Sequence, residues 1–420
     1  MNKNILLFVT FFIFIKTITA KDILLIGATA HLGNGEKIEN SIITIKEGKF
    51  NIVADATNIK INYEAFDTII RVHGKHIYPA FISPNTTLGL TEIDAIRASK
   101  DFDEVGDFNP NIRSLIAYNT DSKILKTVRT NGVLITQATP RGGIISGSSS
   151  IMYLDGWNWE DATVKSDDGI HINWPKAYNT SGWWAQPGST SENENYYKKI
   201  NRIKDYFLMS KSYYEGDNLI DIELESIKGL FTGEKNLYVH ANYSKEIRQS
   251  IIYFNSIGVK NIIIVGGKEC LQSIDILKKY NIPIILNRIH SLPSNEDASI
   301  NEFYTLPSKL AQEGILFCFA YNGDMEAMGT RNLPFTAGTA VAYGLKYEKA
   351  ISALSLNTCK IFGIDDVLGS IEVGKEATFF ISDGDALNMI DNNVEQAYIK
   401  GKLINLDNHQ KQLYQKYLNK

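Results

Sequence analysis

The chain contains little cysteine and no excess of basic charge, and both shortages exclude classes of protein. Only 3 of its 420 residues are cysteine, and Cys270, Cys318 and Cys359 lie far apart in the sequence. This spacing offers neither a disulfide framework nor a thiolate metal site, so we expect three buried, unpaired side chains. The formal net charge is −4, whereas nucleic-acid binding needs a concentrated basic surface. We therefore expect no nucleic-acid partner.

Long hydrophobic runs are missing beyond the first residues of the chain. Lys3 precedes an apolar run over residues 5–15, and the small residue Ala20 follows it. This pattern is typical of a secretory signal peptide, and the run is short for a stable membrane anchor. We assign residues 1–20 to a signal peptide and expect an exported, soluble protein, periplasmic or secreted, with no membrane association after signal removal. An anchor that is never cleaved is the alternative.

The remaining chain contains two kinds of segment. Short strand-like stretches with turns, such as the one at Gly48, fill residues 21–78, and similar stretches return over 366–410. Between them, apolar runs alternate with amphipathic stretches, and the clearest runs are 133–138, 237–241, 262–267, 282–287 and 315–320. Strands that are apolar throughout are buried on both faces, and about eight such units close a barrel. We predict an α/β fold, a (β/α)8 TIM barrel over 79–365 with a small composite β-sandwich domain built from both chain ends.

One stretch within the barrel region has an unusual composition. All 5 tryptophans lie between Trp157 and Trp184, among many Gly, Ser, Asp and Asn residues and without clear periodicity. We predict a long loop over one mouth of the barrel, and either packing or stacking on a ligand explains its tryptophans. His171 lies in this stretch and matches no motif, whereas we expect His31, His73 and His76 to be structural.

Three stretches of the barrel frame carry recognisable motifs. "GKHIYPAFIS" resembles the entry G-K-x-V-x-P-G-x-I-D, and "LGSIEVGKEATFFISDGDAL" resembles the exit L-G-S-I-x-x-G-K-x-A-D-L, of the amidohydrolase superfamily. "NLPFTAGTAVAYGLKYEKAISALSLNTCKIFGI" is similar to the helical pair of its imidazolonepropionase-like members. The resemblance covers nearly the whole mature chain. It implies a barrel, one or two divalent metals such as zinc at its C-terminal mouth, and hydrolysis of carbon–nitrogen bonds.

The same resemblance locates the family's metal ligands, and most of these positions hold other residues. The strand-1 pattern D-x-H-x-H falls on residues 83–87, which puts Asn85 and Thr87 at the two histidine positions. The strand-5 histidine falls on His240 and is present, but the strand-6 histidine falls on Val265. A catalytic zinc usually needs three good protein ligands. We therefore expect no standard metal centre and no other cofactor, with His240 as a ligand only if a residual metal is bound.

The family's strand-8 aspartate falls near Asn322, or on Asp324 if the alignment shifts by two. His240 and Asp324 are our catalytic candidates. Arg141 lies in the apparent loop "TPRGGIISGSSS", where its guanidinium could grip a carboxylate. His290 follows a predicted strand and should face the same mouth. The substrate-binding candidates are Asn85, Thr87, Arg141, His290 and Asn322.

Two interpretations of function remain open at this point. The first is a hydrolase acting on a carbon–nitrogen, non-peptide bond of a small amide or cyclic amide, with the standard metal centre absent. The second is a catalytically inactive exported barrel that binds a small molecule or a protein partner. Barrel hydrolases of this kind often pair, so the resemblance also implies a homodimer.

Overall fold

The structure is a computed structural model, and it describes residues 22–183, 186–216, 219–293, 297–323, 325–418 and 420. The predicted signal peptide and the candidate Asp324 lie outside these described residues. Within these ranges, no helix is long and apolar enough to cross a membrane.

Short strands come first in the described chain. They are β1 (Ile23–Ile26), β2 (Thr29–His31), β3 (Lys37–Ile38), β4 (Ser41–Lys46), β5 (Lys49–Asp55), β6 (Thr68–Arg71) and β7 (His76–Pro79). One sheet has the order β5-β4-β1-β6. The β4–β5 hairpin turns at Glu47 and Gly48, whose φ angles are 50° and 77°. Positive φ at both central residues is what a tight hairpin turn requires, and the turn predicted at Gly48 is confirmed.

The next strands belong to the barrel and to one separate hairpin. They are β8 (Phe81–Thr86), β9 (Val133–Ala138), β10 (Ile145–Tyr153), β11 (Thr163–Asn173), β12 (Tyr178–Trp183), β13 (Gln186–Glu192), β14 (Asn236–Ala241), β15 (Ile262–Gly266), β16 (Ile284–Leu286) and β17 (Phe317–Phe319). β12 pairs with β13, and the others form an eight-stranded sheet in the order β17-β16-β15-β14-β11-β10-β9-β8. A mixed α/β, TIM-barrel-like fold is thereby confirmed.

One strand of the barrel sheet departs from the predicted all-parallel pattern. β10 is antiparallel to both β9 and β11, whereas the other pairings in this sheet are parallel. The cause is the short connection over residues 139–144, because a parallel neighbour needs a crossover of about a dozen residues or more. The segment read from the sequence as a loop, "TPRGGIISGSSS", therefore becomes barrel strand from Ile145 onward.

Strands from both ends of the described chain share one further sheet. After the barrel come β18 (Phe379–Ser382), β19 (Val394–Ile399) and β20 (Lys402–Leu403). The sheet order is β20-β19-β18-β7-β2-β3, and β18 joins the two ends by antiparallel pairing with β7.

Most helices of the described chain follow β13 in the sequence. They are α1 (Ser114–Ala117), α2 (Lys123–Val128), α3 (Tyr196–Glu215), α4 (Ile222–Thr232), α5 (Ser244–Ser256), α6 (Ile274–Lys279), α7 (Glu302–Gln312), α8 (Glu326–Gly329), α9 (Leu333–Ala342), α10 (Tyr347–Leu354), α11 (Leu356–Phe362) and α12 (His409–Leu418). α5 shows why such segments are helical: Ile247, Ile251 and Phe254 are buried at the spacing of one helix face.

The tryptophan-rich stretch is not the long loop that its composition suggested. Residues 163–173 form barrel strand β11, and residues 178–183 form one strand of the β12–β13 hairpin. Trp174 is buried, whereas Trp157 is 90% exposed. The side chain of Trp183 and all of Trp184 lie outside the described positions. The prediction failed because β11 carries polar side chains on its buried half, so the sequence shows no apolar run there.

The three cysteines follow the prediction made from their spacing. Cys270, Cys318 and Cys359 are buried and free. Burial raises the pKa of the Cys318 thiol to about 12, so this side chain stays protonated at neutral pH.

Candidate functional site

Five polar side chains meet inside the barrel, one from each of five neighbouring strands. They are Asn85 on β8, Gln137 on β9, Ser149 on β10, His171 on β11 and His240 on β14. The first four are fully buried, at 0% exposure. All lie toward the C-terminal ends of the parallel strands or beside them, which is the end of a barrel where ligand sites are built.

The first half of this arrangement is fixed by a backbone donor. The N–H of Asn85 donates to Oε1 of Gln137 at 3.0 Å. This contact orients the Gln137 amide, because a backbone N–H can only donate. Nε2 of Gln137 then donates to Oγ of Ser149 at 3.0 Å. Ser149 accepts this hydrogen bond, and its own hydroxyl hydrogen is free to be donated elsewhere.

The second half continues through two imidazoles. Oγ of Ser149 lies 2.9 Å from Nε2 of His171 and 3.4 Å from the carbonyl oxygen of Gly169. If the Ser149 hydrogen takes the shorter contact, to Nε2 of His171, then His171 carries its own proton on Nδ1. Nδ1 of His171 lies 3.0 Å from Nε2 of His240, and in that tautomer it is the donor. One continuous set of hydrogen bonds thus runs from Asn85 to His240.

Arg141 closes the Asn85 end of this set across the mouth of the barrel. Its Nη1 donates to Oδ1 of Asn85 at 2.9 Å, and its Nη2 donates to the carbonyl oxygen of Asn85 at 2.9 Å. Nη2 also forms a salt bridge of 2.7 Å with Oε1 of Glu326, at the start of α8. Asn85 has a φ of 51°, a left-handed conformation that asparagine tolerates better than most residues. We call the seven side chains Glu326, Arg141, Asn85, Gln137, Ser149, His171 and His240 the mouth network.

Both histidines of the mouth network are held in the neutral form. Burial lowers the pKa of His171 well below its usual value, and the neighbouring His240 and Arg141 lower it further. Burial, and then the positive charge of Arg141, lowers the pKa of His240 to about 3. Neutral imidazoles can share one proton between facing nitrogens, which is the arrangement that the 3.0 Å contact requires.

A second polar cluster beneath the network holds the His171 ring in place. The His171 ring stacks on Tyr238, with centroids 4.5 Å apart and planes at 12°. The hydroxyl of Tyr238 donates to the buried carboxylate of Asp168, which also forms a 2.7 Å salt bridge with Lys165. Burial raises the pKa of Asp168, and Lys165 opposes this effect. Tyr238 thus packs against the face of the His171 ring, while Ser149 and His240 contact its two nitrogens.

Two polar atoms beside the network lack a hydrogen-bond partner. They are Nδ2 of Asn85 and Oγ of Ser83, both buried. A buried donor left unpaired costs about 1–3 kcal/mol. The unpaired amide hydrogens of Asn85 are therefore a place where an acceptor oxygen of a ligand would be favourable.

The remaining barrel strands present apolar side chains at the level of His240. In the strand register His240 is the partner of Val265, Val265 of Ile285, and Ile285 of Cys318. Val265, Ile285 and Cys318 are at most 1% exposed. Directly paired residues point to the same face of a sheet, so this part of the ring is filled by packing groups.

The described side chains do not fit the metal centre that the resemblance implies. In the described ranges, which omit Asp324, no three His, Cys, Asp or Glu side chains are grouped so that they could hold a metal ion. His240 is hydrogen-bonded to His171, and a guanidinium contacts Asn85 at the position of a family ligand. A fixed cation at that position disfavours a second one by direct repulsion.

A cavity of about 760 Å³ opens next to the mouth network. Thr87, Arg141 and Glu326 line it on the barrel side, and Ile93, Phe102 and Met328 are among its apolar walls. This combination of an apolar wall and a few charged groups is usual for small-molecule sites.

The predicted site residues fall into two groups in space. Asn85, Arg141 and His240 belong to the mouth network, and Thr87 lines the adjoining cavity at 2% exposure. His290 lies elsewhere: it is exposed, and its Nε2 contacts Oγ1 of Thr339 on α9 at 2.7 Å. Asn322 is half-buried in the segment after β17, and Asp324 lies outside the described residues.

Sequence reasoning missed four members of the mouth network. Gln137, Ser149, His171 and Glu326 were not among the candidates. His171 was set aside because the surrounding stretch looked like a loop. The alternation Ile170-His171-Ile172 was the available signal, since it places the imidazole on one face of a strand and both isoleucines on the other.

Two of the histidines expected to be structural line a second cavity, of about 600 Å³, between the six-stranded sheet and α10. Nδ1 of His31 contacts Oε1 of Glu348 at 2.8 Å, and its Nε2 contacts Nδ1 of His76 at 3.1 Å. These bonds connect β2 and β7 to α10, as expected of structural side chains.

Comparison with known proteins is consistent with this architecture. Residues 222–404 match the family described as "Amidohydrolase family". An amidohydrolase from Thermotoga maritima MSB8 has a similar structure, with a TM-score of 0.78 and 20% identity over 91% of this chain and 99% of that chain. A Xaa-Pro dipeptidase with bound methionine in its active site has a TM-score of 0.57 and 16% identity, over 91% of this chain and 99% of the other. An ochratoxinase from A. niger has a TM-score of 0.54 and 14% identity, over 92% and 96% of the two chains.

No curated protein matches this chain at a significant level. At identities of 20% and below, these structures show that this chain shares their fold, and they do not show that it shares their substrates. The family match covers the second part of the barrel and the strands that follow it. Residues 222–404 thus resemble the amidohydrolase family in sequence, and about nine tenths of the chain shares its fold with a solved amidohydrolase.

Proposed function

We propose that this protein is a hydrolase that cleaves a carbon–nitrogen, non-peptide bond of a small amide or cyclic amide without the standard metal centre of its superfamily. The observation that carries the proposal is the mouth network, a continuous series of hydrogen bonds from Glu326 and Arg141 to His240. It occupies the end of the barrel where the superfamily's ligands are expected. Arg141 would supply the positive charge at the mouth, and the adjoining cavity would hold the substrate.

Several observations support hydrolysis as the reaction class. The matched family is one of amidohydrolases, and structures of similar fold include an ochratoxinase and a protein described as molinate hydrolase, at a TM-score of 0.52. The fold alone does not fix a substrate, because one barrel supports many reactions through its loops.

The roles follow from the geometry at the mouth. The Arg141 guanidinium and the unpaired Nδ2 of Asn85 would donate to a carbonyl or carboxylate oxygen of the substrate. Thr87 would contact the substrate from the cavity wall. His290 and Asn322 remain predicted substrate contacts, and Asp324 remains a predicted catalytic group. His240 would be a metal ligand only if a residual ion binds.

The alternative is a catalytically inactive exported barrel that binds a small molecule or a protein partner. The low pKa values of His171 and His240 favour it, because an imidazole that is hard to protonate is also a weak general base. Both functions predict that a ligand binds at the mouth, but only the hydrolase predicts turnover.

Elemental analysis combined with an activity screen tests the proposal. The full mature chain would be purified without chelators, its zinc and manganese measured, and hydrolysis of small amides, lactams and hydantoins assayed before and after EDTA. We expect substoichiometric metal and a turnover that EDTA leaves unchanged. Stoichiometric zinc or manganese would refute the metal-free site. Specific binding of a screened compound without turnover would favour the inactive barrel.

We also propose the organisation of the mature protein. Residues 21–78 and 366–410 would form one composite β domain, supported by the shared six-stranded sheet, and residues 79–365 would form the barrel. Residues 1–20 would direct export, and two copies would pair. N-terminal sequencing of the exported protein and light scattering of the purified chain test the last two points. A retained residue 1 or a monomeric mass would contradict them.

A further inference from the structure

We infer that Ser149 is a nucleophile of this site, with His171 as its general base and His240 as the residue that positions the base. The inference rests on the proposed hydrolase function and gives it a covalent mechanism. Nothing in the sequence resemblance assigns Ser149 or His171 a role.

The geometry is that of an activated serine. Oγ of Ser149 lies 2.9 Å from Nε2 of His171, within reach for proton transfer. The opposite nitrogen of the same ring, Nδ1, lies 3.0 Å from Nε2 of His240. A nucleophile bonded to one nitrogen of a base, with an orienting group on the other, is the arrangement by which serine hydrolases are recognised on unrelated folds.

The direction of the protons favours the same assignment. The Gln137 amide donates to Oγ of Ser149, which leaves the Gly169 carbonyl at 3.4 Å and Nε2 of His171 at 2.9 Å as acceptors for the Ser149 hydrogen, and we assign it to the nearer one. His171 therefore presents an unprotonated Nε2 to Ser149 and a protonated Nδ1 to His240. This is the tautomer that a general base needs in order to accept the serine proton.

Two further donors follow Gln137 in the network, and a substrate that enters between them and Ser149 would meet both. Asn85 has an unpaired Nδ2 in a fully buried position, and Arg141 contacts the same residue. An amide hydrogen and a guanidinium are suitable donors to the negative oxygen of a tetrahedral intermediate.

The reaction would proceed in two balanced steps. Ser149 Oγ forms a bond to the acyl carbon while its proton moves to Nε2 of His171. The carbon–nitrogen bond then breaks, and the leaving nitrogen takes that proton. In the second step a water molecule gives a proton to His171, its oxygen attacks the acyl-serine, and Ser149 recovers the proton. The products are a carboxylic acid and an amine.

A substrate can reach Ser149 only if the site opens. Ser149 is fully buried, and the contacts leading to it from the cavity pass through Arg141, Asn85 and Gln137 in turn. A substrate has to displace the Arg141–Glu326 salt bridge to reach Ser149. We therefore expect slow modification that becomes faster in Glu326→Gln.

Covalent labelling of the full mature chain tests the inference. The probe is a fluorophosphonate, which phosphonylates activated serines, and labelling is followed by intact mass and peptide mapping. We expect one adduct, on Ser149, lost in Ser149→Ala and kept in Ser150→Ala, a matched control on the same strand. In a substrate assay Ser149→Ala should lower kcat by a factor of about 10³ or more. Melting curves confirm that both variants are folded.

The positioning role of His240 is tested by the pH dependence of Ser149 labelling, which a purely structural role would leave unchanged. His240→Asp puts a carboxylate beside Nδ1 of His171, which should shift the pH midpoint of Ser149 labelling upward, whereas His240→Leu should lower the labelling rate without such a shift. An unshifted midpoint in His240→Asp would remove His240 from the positioning role.

Two results would overturn the nucleophile. The first is the absence of an adduct at Ser149 in both the wild-type chain and Glu326→Gln. The second is turnover by Ser149→Ala within about tenfold of wild type, and that result leaves the proposed hydrolase function standing. Absence of turnover in the wild-type chain would instead count against the proposed function itself.

Discussion

The two sides of the barrel interior differ in what they place at the level of His240. From β8 to β14 the facing side chains are polar and hydrogen-bonded, and they end on Arg141. From β15 to β17 the corresponding positions are Val265, Ile285 and Cys318, all buried. The same strand register therefore carries a continuous polar network on one side and packing groups on the other.

This difference bears on the proposal that the site works without a metal. A metal at the mouth would need donors from both sides of the barrel, and β15 to β17 offer none at this level in the described residues. The polar side has meanwhile satisfied most of its donors and acceptors internally. Buried polar networks stabilise a structure only when nearly all members are paired. The two sides together are therefore consistent with the proposed metal-free site.

The largest expected effect comes from placing a charge on the apolar side. Val265→Asp would bury a carboxylate with no cation against Ile285, and an uncompensated buried charge costs about 3–5 kcal/mol of unfolding free energy. Urea denaturation followed by circular dichroism measures this. Val265→Thr, which adds only a hydroxyl, should cost about 1–3 kcal/mol. Equal losses for the two variants would mean that position 265 is less isolated from polar groups than we infer.

Breaking the polar side at its centre should have a slightly smaller effect. Gln137→Leu removes the acceptor of the Asn85 backbone N–H and the amide that donates to Oγ of Ser149. The orphaned backbone donor costs about 1–3 kcal/mol, while Ser149 keeps its contact with His171. Ile135→Val, a packing change on the same strand, should cost only about 0.5–1.5 kcal/mol. A Gln137→Leu variant as stable as Ile135→Val would show that the network is not continuous through β9.

Acid should lower the unfolding free energy through the histidines of the polar side, because the apolar side contributes no group that titrates in acid at the level of His240 in the described residues. His240 has a pKa of about 3 in the folded protein against 6.5 for an ordinary histidine, so the unfolded chain takes up the proton first. Stability contributed by neutral His240 is therefore complete above about pH 6.5 and falls as the pH drops toward 3. By pH 5 the loss is about 2 kcal/mol, at about 1.4 kcal/mol per pH unit. His171, whose pKa is also lowered, adds to it.

Denaturant titrations between pH 8 and pH 5 give this slope, and His240→Gln provides the control. The variant removes the titrating group and should have a shallower pH dependence than wild type. The same slope in both proteins would assign the acid sensitivity to other groups.

The sequence allowed the apolar side of the barrel to be predicted better than the polar side. The runs read as strands at 262–267, 282–287 and 315–320 contain β15, β16 and β17, because strands buried on both faces are apolar throughout. Arg141 and Asn85 were both predicted as site residues, and they contact each other directly. Neither result required knowledge of long-range contacts.

The polar strands were misread because their inward positions are satisfied only by tertiary contacts. Residues 145–153 are fully buried, yet "ISGSSSIMY" has the composition of a loop. Its serines are stabilised by partners on other strands, such as Gln137 and His171 for Ser149. Local composition carries no record of such partners, so β10 could not be found from its own segment, and in β11 only the alternation Ile170-His171-Ile172 pointed to a strand.

Placing a histidine at position 265 should have the smallest effect on metal content. Val265→His places an imidazole beside His240 in the strand register, but Arg141 still contacts Asn85 and no third donor is added. We expect zinc content to stay well below one ion per chain and added zinc to leave the melting temperature unchanged. The matched variant Val265→Gln controls for the added polarity. One tightly bound zinc in Val265→His would mean that a single side chain completes the metal centre. The mouth network would then be compatible with a metal and would not replace it.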